Sequence, residues 1–288
     1  MNYVSVEGLT KSYGITPLFK GIHFNINEGD SIALIARNGM GKSTLLKILA
    51  GKEIPDAGVA KIHKEVHLVL FEQEPQFIES ASITQNIFNQ DHPVMKAISN
   101  YEMALESEDE NLIAQAIVEM EEKNAWDFES KVKTILTKLN IHHLDQPVSQ
   151  LSGGQRKRVS LAKTLIQIGF ENKHILLLMD EPTNHLDLDM IEWLEHYLLQ
   201  EKVTLLLVSH DRYFLEAVTQ QIWELEREHL YVYKGDYENY LEKKAARIEA
   251  ELASIDKAKN TFRKELEWMR KQPKARTTKS KSRQDNFY

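Results

Sequence analysis

Ile32-Ala33-Leu34-Ile35-Ala36-Arg37-Asn38-Gly39-Met40-Gly41-Lys42-Ser43-Thr44 passes from four apolar residues through a glycine-bearing loop into a helical pattern. Leu45, Leu46, Ile48 and Leu49 continue the apolar face, and Gly51 ends it. Strand, loop and helix in this order suit a phosphate cradle. Backbone N–H groups of the loop and the positive end of the helix hold phosphates, Lys42 reaches the β and γ phosphates, and the Ser43 hydroxyl binds Mg²⁺. The usual pattern opens with glycine six residues before the lysine, where this chain has Ala36. If that position needs positive φ, alanine costs about 1 kcal/mol or more; if φ is negative, the change is tolerable.

Downstream, Ile175-Leu176-Leu177-Leu178-Met179-Asp180-Glu181 reads as a buried strand ending in two acids. Asp180 is placed to hold the Mg²⁺ shell, and Glu181 to orient and deprotonate an attacking water. Alone, such a strand could be a core element with a solvated acidic cap, but the phosphate loop upstream argues against that. Between the two lies Leu151-Ser152-Gly153-Gly154-Gln155, followed by Arg156-Lys157-Arg158. Paired glycines ahead of a helix form a second anion cradle, although a Ser-Gly-Gly by itself is an ordinary flexible turn.

The surrounding pattern predicts an α/β fold. Short β runs at 4–6, 24–26 and 32–35 are separated by turns, with Asn27-Glu28-Gly29-Asp30 between the last two. Residues 82–145 switch to acidic helical periodicity and read as a helical insert, the acids at 106–110 marking an exposed turn. A helix from Ser160, a buried strand at 175–179, a helix around 190–199, a strand at 203–208 and a short helix at 212–218 follow. This alternation predicts a mostly parallel sheet covered by helices. After Tyr240, Leu241, Ile248, Leu252, Ile255, Phe262, Leu266 and Met269 mark a heptad seam on one long helix that Pro273 is expected to end. The expected division is a cassette over 1–238 and a basic coiled-coil linker over 239–288.

At 288 residues the chain can hold one large domain and an extension, and 42% hydrophobic content supplies a sizeable core. With no cysteine it can form neither a disulfide nor a thiolate metal site. The first residues lack a secretory pattern and no apolar run, 175–179 included, exceeds five residues, too short to cross a bilayer, so a soluble cytoplasmic chain is expected. The net charge is −7, yet residues 270–283 carry seven basic side chains and no acid, leaving −14 on the rest. Of these, Lys271, Lys274, Arg276, Lys279, Lys281 and Arg283 form a candidate nucleic-acid contact, although a solvated charge run is the plain alternative.

The phosphate loop, the Leu151–Gln155 pentapeptide and the acid-tipped strand, in this order and spacing over about residues 3–235, resemble the ABC ATPases. The resemblance implies a P-loop cassette with a mostly parallel sheet core, an antiparallel β edge and a helical subdomain, and ATP and Mg²⁺ as cofactors. It also implies Tyr13 as the aromatic that stacks on adenine, Gln73 as a contact to Mg²⁺ and water, and His210 as the γ-phosphate contact. Plain alternatives are a strand aromatic, a surface glutamine and a structural histidine. In this family two cassettes sandwich two nucleotides, so Leu151, Ser152, Gly153, Gly154 and Gln155 are expected to contact nucleotide held by a second cassette, from the same longer protein or another copy.

Glu181-Pro182-Thr183-Asn184-His185-Leu186-Asp187 looks like the ABC-F version of the loop after the catalytic acid, and adds Asp187 to the nucleotide contacts. The insert resembles the ABC-F arm, and Lys274-Ala275-Arg276-Thr277-Thr278-Lys279 the linker of the Uup branch. ABC-F membership implies a ribosome or ribosomal RNA partner and no membrane. A DNA-associated ATPase acting on branched or recombining DNA, and a transporter's energy subunit, are the competing readings.

Overall fold

The computed structural model describes residues 1–73, 75–88, 93–107, 109–123, 125–170 and 173–270. They fall into two units, Met1–Tyr237 and a second beginning at Glu238. The first unit opens with two long antiparallel strands, β1 (Asn2–Tyr13) and β2 (Thr16–Asn27), where only short runs were expected at 4–6 and 24–26. The pairing slips between Val6 and Leu9 and again between Leu9 and Lys11. Gly8 (φ 63°) and Gly21 (φ 61°) sit at these slips in conformations that a side chain disfavours. The alternation of apolar residues therefore breaks although the strands continue.

The chain then enters β3 (Ser31–Ile35), the loop 36–41 and α1 (Lys42–Leu49). Ala50 caps α1 and Gly51 follows at φ 69°, which turns the chain away. Two strands that the sequence reading did not place come next, β4 (Ala57–Ile62) and β5 (His67–Phe71). β4 is exposed along nearly its whole length, so it carries no apolar pattern. β4 pairs with β1 to complete the three-stranded sheet β2-β1-β4.

Among the described residues, four helices occupy the acidic region: α2 (Ile83–Phe88), α3 (Pro93–Ser107), α4 (Glu110–Glu122) and α5 (Ala125–Lys138). Asp109 caps α4 by accepting from the N–H groups of Asn111 and Leu112. After α6 (Gly153–Phe170) come β6 (Ile175–Asp180), α7 (Leu188–Glu201), β7 (Thr204–Val208) and α8 (Arg212–Val218). An antiparallel hairpin, β8 (Gln221–Glu226) and β9 (His229–Lys234), follows and forms an antiparallel edge of the kind the family resemblance implies.

The second sheet has the order β5-β6-β7-β3-β8-β9, parallel throughout except for the β8–β9 edge. β7 is buried at every residue and β6 at all but its first, the pattern of strands covered on both faces. One core joins the two sheets across α1: Val4, Leu9, Phe19 and Ile26 from the first pack with Leu34, Leu46, Leu178 and Trp223. The parallel order sets the carboxyl ends of β3, β6 and β7 side by side, where α/β proteins place their ligands.

The second unit is described as far as α9 (Tyr237–Arg270), 34 residues or about 50 Å of helix. The seam residues Leu241, Ile248, Leu252, Ile255 and Phe262 are all exposed on it. Pro273 and the basic residues Lys271, Lys274, Arg276, Lys279, Lys281 and Arg283 lie outside the described residues. Among the described residues, no helix is long and apolar enough to cross a membrane.

The crossing of β1 and β4 gives a test of the fold. Gly58 has φ 82°, and a Cβ there would sit 2.3 Å from the Gly8 carbonyl oxygen, whereas Gly29, at φ 80°, has nothing within 4 Å of such an atom. Gly58→Ala is expected to lose about 2–4 kcal/mol by strain and backbone clash, against about 1 kcal/mol for Gly29→Ala. Equal losses in denaturant melts would contradict the close approach of the two strands.

Candidate nucleotide site

The loop after β3 is shaped by its glycines. Gly39 (φ 80°) and Gly41 (φ 91°) take left-handed backbone, and the Met40 N–H donates to the Arg37 carbonyl at 3.2 Å. Gly41 is the N-cap of α1 and offers no capping side chain, so first-turn N–H groups are left for a ligand. A Cβ at Gly41 would lie 3.0 Å from two side-chain carbons of Leu18 and would be strained at φ 91°, so glycine suits this close approach of β2 to the loop. Ala36 is not among the positive-φ residues, and its methyl packs on the core. The departure from the usual glycine is therefore free of backbone strain. Lys42 Nζ donates to the Ala36 carbonyl at 2.9 Å and lies 3.5 Å from Asn38 Oδ1.

β6 delivers Asp180 and Glu181, both buried, to the facing edge. Glu181 has φ 52°, unusual for a side-chain-bearing residue, and its N–H donates to the Val208 carbonyl of β7 at 2.8 Å. Its Oε2 accepts from the His210 backbone N–H at 3.2 Å. Its Oε1 is buried without a hydrogen bond, 3.4 Å from His210 Nε2. His210 Nε2 also lies 3.2 Å from Asn38 Oδ1, which ties the loop after β7 to the loop after β3. Beneath them the Thr183 and Ser209 hydroxyls lie 3.3 Å apart, and Ser209 Oγ accepts from the Asp211 N–H at 3.0 Å.

These loops surround a cleft of about 530 Å³. Of the residues expected from sequence, Tyr13, Asn38, Gly39, Gly41, Lys42, Ser43, Thr44, Gln73, Asp180, Glu181 and His210 line it. Ala36, Arg37 and Met40 belong to the loop without lining the cleft. Leu18 and Asn184 also line it and were not expected. Asn184 stands in the stretch after the acids, but Leu18 carries no motif in the sequence.

Leu151, Ser152, Gly153, Gly154 and Gln155 do not line this cleft. Ser152 and Gln155 instead form a reciprocal cap on α6: the Ser152 N–H donates to Gln155 Oε1 at 2.9 Å, and the Gln155 N–H to Ser152 Oγ at 3.3 Å. Arg156 makes two 2.6 Å contacts to the Glu79 carboxylate, fastening this helix start to the segment after Gln73. Asp187 is likewise outside the cleft and caps α7 by accepting from the Met190 N–H at 2.9 Å.

The donor set fits Mg²⁺. Among the described residues no group of three or more His, Cys, Asp or Glu could hold a metal ion. Ser43 and Asp180 supply two oxygens beside Gln73, which suits a cation that keeps waters and takes substrate phosphate oxygens.

Burial sets the electrostatics. Asp180 is raised above the usual carboxylate range by desolvation, against the opposing pull of the Ser43 hydroxyl and of Lys42, Lys47 and Lys157. Glu181 is raised by desolvation too, with His210 and Lys42 opposing and Asp180 reinforcing. Lys42 is lowered by desolvation, against the two carboxylates. A folded carboxyl that binds its proton more tightly than the unfolded one loses stability for the fold as pH rises through the ordinary range to the raised value. Glu181→Gln removes that burden. Without nucleotide it is expected to raise Tm at neutral pH by about 2–4 °C, the shift for roughly 1 kcal/mol in a domain of this size, and the gain is expected to vanish in acid. A lower Tm at neutral pH in calorimetry would show that the buried acid stabilises the fold.

Comparison with known proteins bears on the same residues. A family model described as ABC transporter matches residues 19–184, and an ABC transporter extension model matches 223–288. The chain is 44% identical to the ABC transporter ATP-binding protein YfmR of Bacillus subtilis (strain 168), over 99% of this chain and 46% of that protein. It is 33% identical to the energy-dependent translational throttle protein EttA of Mycobacterium tuberculosis (strain H37Rv), over 98% of this chain and 51% of that one. It is also 31% identical to the ATP-binding protein Uup of Haemophilus influenzae, over 98% and 44%. The chain thus spans about half the length of these relatives. A solved ATP-binding subunit of an ABC transporter superposes with a TM-score of 0.59 over 81% of this chain and 90% of its own, at 18% identity, a likeness of fold alone. The family model covers the loop from its approach strand through both acids of the cleft, and the chain accordingly belongs to the ABC ATPases, as an ATP-binding cassette.

Proposed function

We propose that this chain is an ABC-F cassette that hydrolyses ATP together with a second cassette, and that nucleotide-driven closure sets the basic linker on ribosomal RNA in the cytoplasm. The observation that carries the reading is the gathering of Lys42, Ser43, Asp180, Glu181 and His210 around one cleft. Lys42 and the loop N–H groups hold the β and γ phosphates, and Tyr13 takes the adenine. Bound Mg²⁺ would neutralise phosphate oxygens, held by Ser43 and Asp180 with Gln73 beside them. Glu181 accepts the proton of the attacking water, and its desolvation, which raises its proton affinity, makes it a better base than a solvated carboxylate. His210, held by the Glu181 and Asn38 contacts, faces the γ-phosphate.

The second cassette is supported by two facts. Ser152–Gln155 caps a helix away from this chain's own cleft, leaving it for another nucleotide. The chain also spans about half the length of its relatives. Kinship to a translational throttle protein over 98% of the chain supports the ribosome as partner. The basic run at 270–283 supports contact with phosphate groups.

In the intact protein, Glu181→Gln is expected to slow turnover by about 10²- to 10⁴-fold while ATP binding persists; normal hydrolysis by that variant would remove Glu181 from its role. Replacing Lys274, Arg276, Lys279 and Lys281 with Ser is expected to reduce the log–log salt slope of ribosomal RNA binding by about 3. An unchanged slope would take the linker out of the binding surface. Recovery of the Glu181→Gln protein from cells in ATP is expected to bring ribosomes; DNA or membranes in their place would favour the competing readings.

A further inference from the structure

Resting on the nucleotide reading of the cleft, we propose that Glu53, with Lys11 and Asp56, is a positioning residue that holds the Tyr13 ring as the stacking surface for the base. Tyr13 ends β1 at a two-residue hairpin, Gly14-Ile15, whose Ile15 is fully exposed. Tyr13 as a whole is 53% exposed. Tyr13 lies outside the buried core, so an unassisted tyrosine here would lose side-chain freedom each time a base stacked on it.

The loop after α1 supplies the restraint. The Tyr13 hydroxyl donates to Glu53 Oε1 at 2.5 Å, a short bond of the charge-assisted kind. Glu53 is itself held by Lys11 Nζ at 3.2 Å, and both side chains are largely shielded, at 19% and 13% exposure. Lys11 Nζ is fixed in turn by the Ile54 carbonyl at 2.8 Å and by Asp56 Oδ1 at 3.5 Å. Asp56 fastens the strand end as well: its Oδ2 accepts from the Ser12 N–H at 2.7 Å, and its own N–H donates to the Thr10 carbonyl at 2.9 Å. The neighbouring Lys52 pairs with Glu72 instead and does not compete for Glu53.

The network also gives the ring two unlike faces. Lys11 Nζ sits over the ring, 5.6 Å from its centroid, and backs one face with positive charge. The ring lines the cleft that holds Lys42 and Asp180, so the other face is the one left to a base. A hydroxyl bonded to a carboxylate fixes the ring's rotation about the strand end, which a phenylalanine could not do.

The test compares MgATP with magnesium tripolyphosphate, which shares the phosphates and lacks the base, by calorimetric titration of the whole chain. Tyr13→Phe and Glu53→Ala are each expected to weaken ATP about three- to tenfold, the effect of one net hydrogen bond, with tripolyphosphate affinity unchanged. The double variant is expected to be no weaker than the worse single variant, because both remove the same bond. Glu53→Gln, which keeps an acceptor, is expected to restore most of the affinity. Equal weakening of ATP and tripolyphosphate, additive losses, or full ATP affinity in Glu53→Ala would each overturn the proposal. Lys42→Ala separates this from the underlying reading: it is expected to abolish binding of both probes, and ATP affinity that survived it would overturn the cleft assignment itself.

Discussion

Two carboxylates brought out of water at the end of a buried strand are the constraint around which this cassette is organised. Asp180 ends β6, which is apolar until that residue, Glu181 follows it, and Lys42, whose charge acts on both, is itself desolvated. Glu181 Oε1 is buried without a hydrogen bond. Such an arrangement is unfavourable alone and becomes favourable when a polyphosphate and its cation enter, because buried charges gain most from partners that share their low-dielectric surroundings.

The sheet order makes the juxtaposition possible. β3 lies beside β7, and β7 beside β6, so loops far apart in sequence meet at one edge. Asn38 and His210, 172 residues apart, touch there. The left-handed backbone of Glu181 is held by its bond to β7, so the strained residue is anchored by the sheet rather than by the loop it begins.

Much of this was legible in the sequence where a residue type has one physical use. Gly39, Gly41 and Lys42 after an apolar run, and five apolar residues ahead of two acids, imply the loop and the strand by spacing alone, and the short helix at 212–218 appears with its expected bounds. Illegible features were those in which the pattern is broken or is met by distant residues. Gly8 and Gly21 interrupt the alternation of β1 and β2, and β4 has almost no buried face to betray it. β8 and β9 form the antiparallel edge that the family resemblance implies, but no apolar run in their sequence gives their bounds. Asp187 sits in a loop of nucleotide-binding character, yet its side chain is occupied as a helix cap, a use that the motif does not distinguish. Leu18 lines the cleft where β2 lies close against Gly41, a proximity that its own sequence neighbours do not reveal.

Ala36 has a consequence beyond local geometry. A methyl group at a position compatible with the native backbone narrows what the denatured chain can sample, and glycine replaced by alanine in such places stabilises by about 0.4–1 kcal/mol. The first residue of the phosphate loop is thereby less entropically disfavoured on folding than its glycine counterpart, and the cradle's entrance is biased toward its ordered form before any ligand arrives.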